Sequence, residues 1–226
     1  MNPVLHKPHV LMISEITVDG KLTLKRGASS KILMKHMSHE ADIFLHEIRA
    51  AYDAIMVGSS TIKIDNSFLT VRMVPGKSPL RVIPSSMADI PLTANVLDTT
   101  SVPTVIAVSA AAPATHVAAL REKGVHVVVV GSEKVDLPIL MDLLYREFSV
   151  RKLIIEGGPT LNWIMLHYHL VDEIRLIHLP FIVGGNDTPS LVGGMHIDSE
   201  DQMIQLVLKG TRMVGTNLVT EYMVQY

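Results

Sequence analysis

Short runs of Val, Ile and Leu that are apolar at nearly every position constrain this chain more than any other feature. They are Val10–Ile13, Ala54–Gly58, Leu80–Ile83, Thr104–Val108, Val125–Val130, Leu153–Ile155, Ile174–Leu179 and Leu218–Val224. A strand with one face in water alternates apolar and polar residues. A strand covered on both faces does not need to, and that is the habit of parallel sheets. Segments with helical spacing lie between the runs. Ser38 is placed to cap a helix reaching about Ala51, with Glu40 and Asp42 in its first turn. Pro113 to Lys123 stops at Gly124, a residue that turns left-handed at no steric cost. Asp136 begins a third helix, with Leu137, Leu140, Met141, Leu144 and Phe148 on one stripe. A fourth runs from Thr160 to about His169 after a glycine turn. Alternating strands and helices predict an α/β fold. In the last third, Ile174–Leu179, Ile204–Leu208 and Leu218–Val224 follow one another without a convincing helix, which predicts an antiparallel edge. With 226 residues, no repeat and no linker-like tract, residues 1–226 read as a single domain.

Composition narrows the function classes. Twenty Lys and Arg against 22 Asp and Glu give a formal charge of −2 with no basic stripe, which argues against nucleic acid as a partner. Cys is absent, and with it disulfides, thiolate nucleophiles and thiolate metal sites. The apolar runs are too short to cross a bilayer, and Glu15 and Asp19 interrupt the N-terminal one. The expectation is a soluble, cytoplasmic protein. Eleven histidines invite a metal reading, but His36/His39 and His167/His169 lack an accompanying carboxylate cluster. His46-Glu47 is not followed by the second His of a helical zinc motif, so no metal site is expected.

Two constellations remain. Leu153-Ile154-Ile155-Glu156-Gly157-Gly158-Pro159-Thr160-Leu161 is a buried strand, a glycine turn and a helix start, which suits close approach of an anion to backbone amides. It also suits a plain strand–helix connection. Glu156 favours a ligand site, because open α/β sheets bind ligands beyond the carboxyl ends of their strands. The second is Arg49, Asp53, Thr61, Asp65 and Leu69-Thr70-Val71-Arg72, in which an irregular connection follows a strand ending at Gly58. Its two arginines suit a phosphate clamp, but spacing alone favours ion pairs with Asp53 or Asp65 on a surface loop.

Taken together, these motifs resemble the reductase domain of riboflavin biosynthesis. Thr17-Val18-Asp19-Gly20-Lys21, Arg81-Val82-Ile83, Leu170-Val171-Asp172-Glu173, Pro180, Gly184-Gly185 and Gly215 extend the likeness over nearly the whole chain. The resemblance implies a dihydrofolate-reductase-like fold, NADPH as cofactor and a homodimer. It implies reduction of a pyrimidine 5′-phosphate's ribosylamino side chain to the ribitylamino form. By the same resemblance Thr61, Asp65, Ser86, Gly158, Pro159, Thr160 and Leu161 face the cofactor. Arg49, Leu69, Arg72 and Glu156 face the substrate, the arginines toward its phosphate. Ser29 joins them, with Ser30 as the alternative. Asp19 reads as a turn-stabilising residue. If the imine forms readily no strong proton-transfer residue is needed, and none is assigned. The chain departs from the family pattern at Asp65-Asn66-Ser67, where a proline is usual, and at Pro84-Ser85-Ser86, where an aspartate commonly precedes the serine. These departures leave two alternatives open: a dihydrofolate-reductase-like enzyme acting on a related pterin or pyrimidine, or a non-catalytic nucleotide-binding module.

Overall fold

The computed structural model describes residues 5–226. Nine strands form one sheet in the order β5-β4-β3-β2-β6-β1-β7-β9-β8. They are β1 (His9–Thr17), β2 (Ala54–Met56), β3 (Leu80–Pro84), β4 (Thr104–Val108), β5 (His126–Val129), β6 (Lys152–Ile155), β7 (Glu173–Leu179), β8 (Gln205–Val214) and β9 (Asn217–Gln225). From β5 across to β7 all neighbours are parallel, and β9 and β8 then add antiparallel.

The uninterrupted apolar runs are explained by what lies on each side of the sheet. Leu11, Ile13, Ile55, Val57 and Ile154 face one core, with Leu45 and Ile48 of helix α2 (His39–Ala50) and Leu120 of α4 (Ala114–Glu122). Their neighbours Val10, Met12, Ala54, Met56, Leu153 and Ile155 face the opposite core. There they meet Leu140 and Leu144 of α5 (Leu137–Glu147) and Met165 of α6 (Pro159–His167). Each fully buried Leu, Ile or Met contributes about 1.5–3 kcal/mol, so a run apolar on both faces is doubly favoured.

Helix ends follow the local chemistry. Ser38 Oγ accepts the Ala41 amide at 3.2 Å, and Asp136 Oδ1 accepts the Ile139 amide at 3.0 Å. Gly124 takes φ +78° just beyond α4. Three expectations need correction. The connection after Gly58 is not irregular throughout, because α3 (Ser59–Asp65) forms there and is closed by Asn66 at φ 43°. The last strands are longer than the apolar runs suggest, since β8 and β9 make a ladder turning near Gly215. Finally, the Val125–Val130 run is not covered on both faces. Its strand β5 is the sheet's edge, and Val129 is exposed.

Candidate active site

The carboxyl ends of four adjacent parallel strands carry the sequence-marked residues, the position where open α/β sheets bind ligands. Ser86 follows β3, Thr61 and Asp65 lie in α3 after β2, the turn Glu156–Gly158 follows β6, and Asp19 and Ser29 follow β1. Gly58 N–H donates to Gly157 O at 3.0 Å, and Glu156 N–H to Met56 O at 3.1 Å, which joins the β2 and β6 ends. Gly157 has φ +92°, a conformation that favours glycine. At Gly158 an added Cβ would come within 3.1 Å of Thr61 Oγ1, so the turn and α3 are in close register.

Arg49 and Glu156 meet as a fork. Arg49 Nε donates to Glu156 Oε1 and Nη2 to Oε2, both at 2.6 Å, and both side chains are largely buried. Neither Asp53 nor Asp65 is the partner of Arg49, as the surface-loop alternative required. Asp53 Oδ2 instead accepts the Arg151 and Lys152 amides at 2.8 Å, pinning the start of β6. Arg72 is different. It is exposed, its Nη1 donates to Thr70 Oγ1 at 2.9 Å, and among the described residues it forms no ion pair. It lines a cleft of about 530 Å³ with Lys31, Lys35 and Arg49, against the single acid Asp42. Leu69 also lines the cleft, buried and left-handed at φ 53°.

Sequence reasoning passed over His46. It is almost wholly buried, and its Nδ1 accepts the Arg72 backbone N–H at 3.1 Å. Its Nε2 lies 3.5 Å from Arg49 Nη1 and 3.9 Å from Asp42 Oδ1. Burial, then the charges of Arg49 and Arg72, hold its pKa below the usual value, so it accepts this bond as the neutral ring. The signal was available in the spacing. Asp42, His46 and Arg49 stand at i, i+4 and i+7 on one helix and therefore share a face.

Asp65 Oδ2 accepts Ser30 Oγ at 2.8 Å, while its Oδ1 is buried without a partner. The hydroxyl that reaches Asp65 is thus that of Ser30. Ser29 Oγ accepts the Lys31 amide at 3.2 Å. Ser86 Oγ accepts the Val135 amide at 3.0 Å, tying the β3 end to the segment after β5. Pro159, Thr160 and Leu161 form the first turn of α6, where Leu161 is buried in the same core as Met12, Leu140 and Met165. Asp19 accepts Thr17 Oγ1 at 2.6 Å and the Gly184 amide at 2.7 Å, bonds that hold its carboxyl down near about 2. It braces the turn.

Relatives of the chain point the same way. A 2,5-diamino-6-ribosylamino-4(3H)-pyrimidinone 5′-phosphate reductase of Aquifex aeolicus (strain VF5) is 48% identical over 218 residues, 96% of this chain and 97% of its own. A reductase of the same name from Methanothermobacter thermautotrophicus is 41% identical, covering 97% and 99%. Among solved structures, Acinetobacter baumannii RibD superposes with a TM-score of 0.82 at 20% identity, over 97% of this chain and 58% of that one. A pyrimidine reductase-like protein of Corynebacterium diphtheriae gives 0.80 at 21% identity, over 97% and 92%. At such identities these two structures establish the fold. The RibD C-terminal domain model matches residues 8–220, and the chain belongs to that family.

Proposed function

We propose that this protein is the NADPH-dependent reductase that converts the ribosylamino side chain of a pyrimidine 5′-phosphate to its ribitylamino form in riboflavin biosynthesis. It works in the cytoplasm as a homodimer, each chain a single reductase domain spanning residues 1–226. The observation that carries this reading is the cleft. Besides Arg49, which Glu156 neutralises, three cations face one acid there, and among the described residues Arg72 has no ion-pair partner, which matches a dianionic phosphate. The named reductases at 48% and 41% identity supply the substrate class.

The residues present fit a reduced nicotinamide, the cofactor class of this reductase family. Asp65 Oδ1 is a buried acceptor without a donor, and the glycine turn is open at Gly157, where an added Cβ would meet nothing within 4 Å. Thr61, Asp65, Ser86, Gly158, Pro159, Thr160 and Leu161 would hold the cofactor. When bound, the cofactor supplies a hydride to the imine carbon. The chain's own residues do the rest. Arg72 grips the phosphate, and His46 fixes the backbone from which Arg72 projects. Leu69, Ser29 and Glu156 fix the sugar and ring, while the two-point contact from Arg49 keeps Glu156 aimed. Fixing both reactants in this way converts a bimolecular encounter into an oriented one.

The test is NADPH oxidation followed by absorbance, with the ribosylaminopyrimidine phosphate, its dephosphorylated form and dihydrofolate offered in parallel. Turnover is expected with the first and poor turnover with the second. Preference for dihydrofolate would assign the pterin chemistry instead, and no oxidation with any of them would leave a binding module.

A further inference from the structure

Reduction of a glycosylamine consumes one proton for every hydride, and none of the residues assigned above supplies it. One half-buried acid has no role in that reading. Glu15 sits near the carboxyl end of β1, a central strand, opposite Ile177 of β7. By strand alternation it shares the face of Leu11 and Ile13, the face that packs on α2. The β1–β6 pairing ends at Met12 opposite Ile155, so beyond that point β1 runs beside the Glu156 turn. After His9, Glu15 is the only residue of β1 that is half-buried rather than fully buried. A central strand covered on both faces has such access only where the sheet opens at its carboxyl end.

Glu15 is not an ion-pair partner in this structure. Arg49 spends Nε and Nη2 on Glu156, and its Nη1 faces His46 Nε2 and Thr70 O. Among the described residues no cation pairs with Glu15, and no other residue donates to its carboxyl. The charged groups that face it are Glu156 from the β6 turn, and Arg49 and Asp42 from α2. On the β7 side its neighbour Ile177 is apolar and buried.

Resting on the reductase reading, we propose that Glu15 is the proton donor of the reduction. The C1′–O4′ bond of the ribosylamine breaks with its electron pair going to O4′, which takes the Glu15 proton. The nitrogen lone pair forms the C1′=N bond of an iminium. Hydride from the reduced nicotinamide adds to C1′, the π pair returns to nitrogen, and the oxidised nicotinamide and a neutral ribitylamine remain. Solvent, reaching Glu15 at the open carboxyl end of the sheet, restores the proton. Burial, then the neighbouring Glu156 charge, raise the Glu15 carboxyl to about 7, where an acid is both populated at neutral pH and able to give up its proton.

The direct test is carboxyl NMR of the free protein, with Glu15→Gln to assign the signal. A Glu15 titration near pH 7 is expected, and one near 4.5 overturns the proposal. Stability provides a second readout on free protein. Between pH 4.5 and 7 the folded state binds the extra proton, so wild-type Tm should fall relative to Glu15→Gln across that window and level off above it. In turnover, kcat/KM of the wild type should decline above about pH 7. Glu15→Gln should lose that limb and roughly 100-fold in kcat, while KM and NADPH binding move less than twofold. Glu15→Asp should keep the limb with a smaller loss. An active Glu15→Gln enzyme with the wild-type profile would sink the assignment while leaving the reductase reading intact. A wild type inert on the ribosylaminopyrimidine phosphate would sink the reading of function, and with it the donor role, even where the titration near 7 is found.

Discussion

Arg49 and Arg72 carry the same charge in one cleft, and their surroundings give them different work. Among the described residues Arg72 lacks an ion-pair partner, so Arg72→Ala should remove a charge-assisted phosphate contact worth roughly 1.5–3 kcal/mol, about 10- to 100-fold in kcat/KM and mainly through KM. The dephosphorylated substrate should lose little more, and NADPH affinity should hold; steady-state kinetics with both substrates checks this. Equal losses on both would assign Arg72 to scaffolding. Arg49→Ala instead strands Glu156 in a largely buried position. Breaking such a pair costs about 3–5 kcal/mol, so urea unfolding should shift strongly before any kinetic effect is read. The sequence marked both arginines but could not tell clamp from pair, because the partner of Arg49 lies 107 residues away at Glu156. His46 was missed for a related reason. The spacing with Asp42 and Arg49 marks its helix face, but the backbone amide it accepts lies 26 residues away and no motif records that.

Secondary structure was legible where one physical cause dominated. Helix α5 has a capping aspartate and a clean apolar stripe, and it appears where both predicted it. Asp136→Ala, outside the proposed site, should cost about 1 kcal/mol in urea unfolding and leave activity unchanged. Helix α3 was illegible. It has seven residues, no side-chain cap and only Ile62 as a buried apolar anchor, and it ends through the left-handed Asn66. Tertiary context makes it, through the Gly58 and Gly157 backbones that seat its first turn. That seat is tight. The Cβ of Gly158→Ala would press on Thr61 Oγ1 at 3.1 Å, and the variant should fold but bind NADPH several-fold more weakly in a nicotinamide fluorescence titration. Unchanged affinity would remove Thr61 from the cofactor contacts.

Across the whole molecule, the sheet has two unlike ends. At one, β5 is short, four residues long, and a short edge offers little to another chain. At the other, β8 is ten residues long, with an open ladder and exposed Leu206, Val207, Leu208 and Met213 on both of its faces. The apolar run at Ile204–Leu208 was visible in the sequence. That it forms the outermost strand was not, because an edge is a property of topology and leaves no local mark. Such an edge left bare invites uncontrolled pairing, whereas a second copy of the chain would cover it through a symmetric, self-complementary contact. The protein should therefore scatter light as a dimer, at twice its 24.8 kDa, at micromolar concentration. Replacing Val207 and Leu208 by Lys should shift it to monomer and lower its Tm, since β8 would lose the cover on both faces at once. The strands that carry the proposed site, β3, β2, β6 and β1, are separated from that edge by β7 and β9, so residual turnover of the monomer per chain measures how far the site depends on assembly. A wild-type chain that scatters as a monomer would leave β8 to be covered by something else.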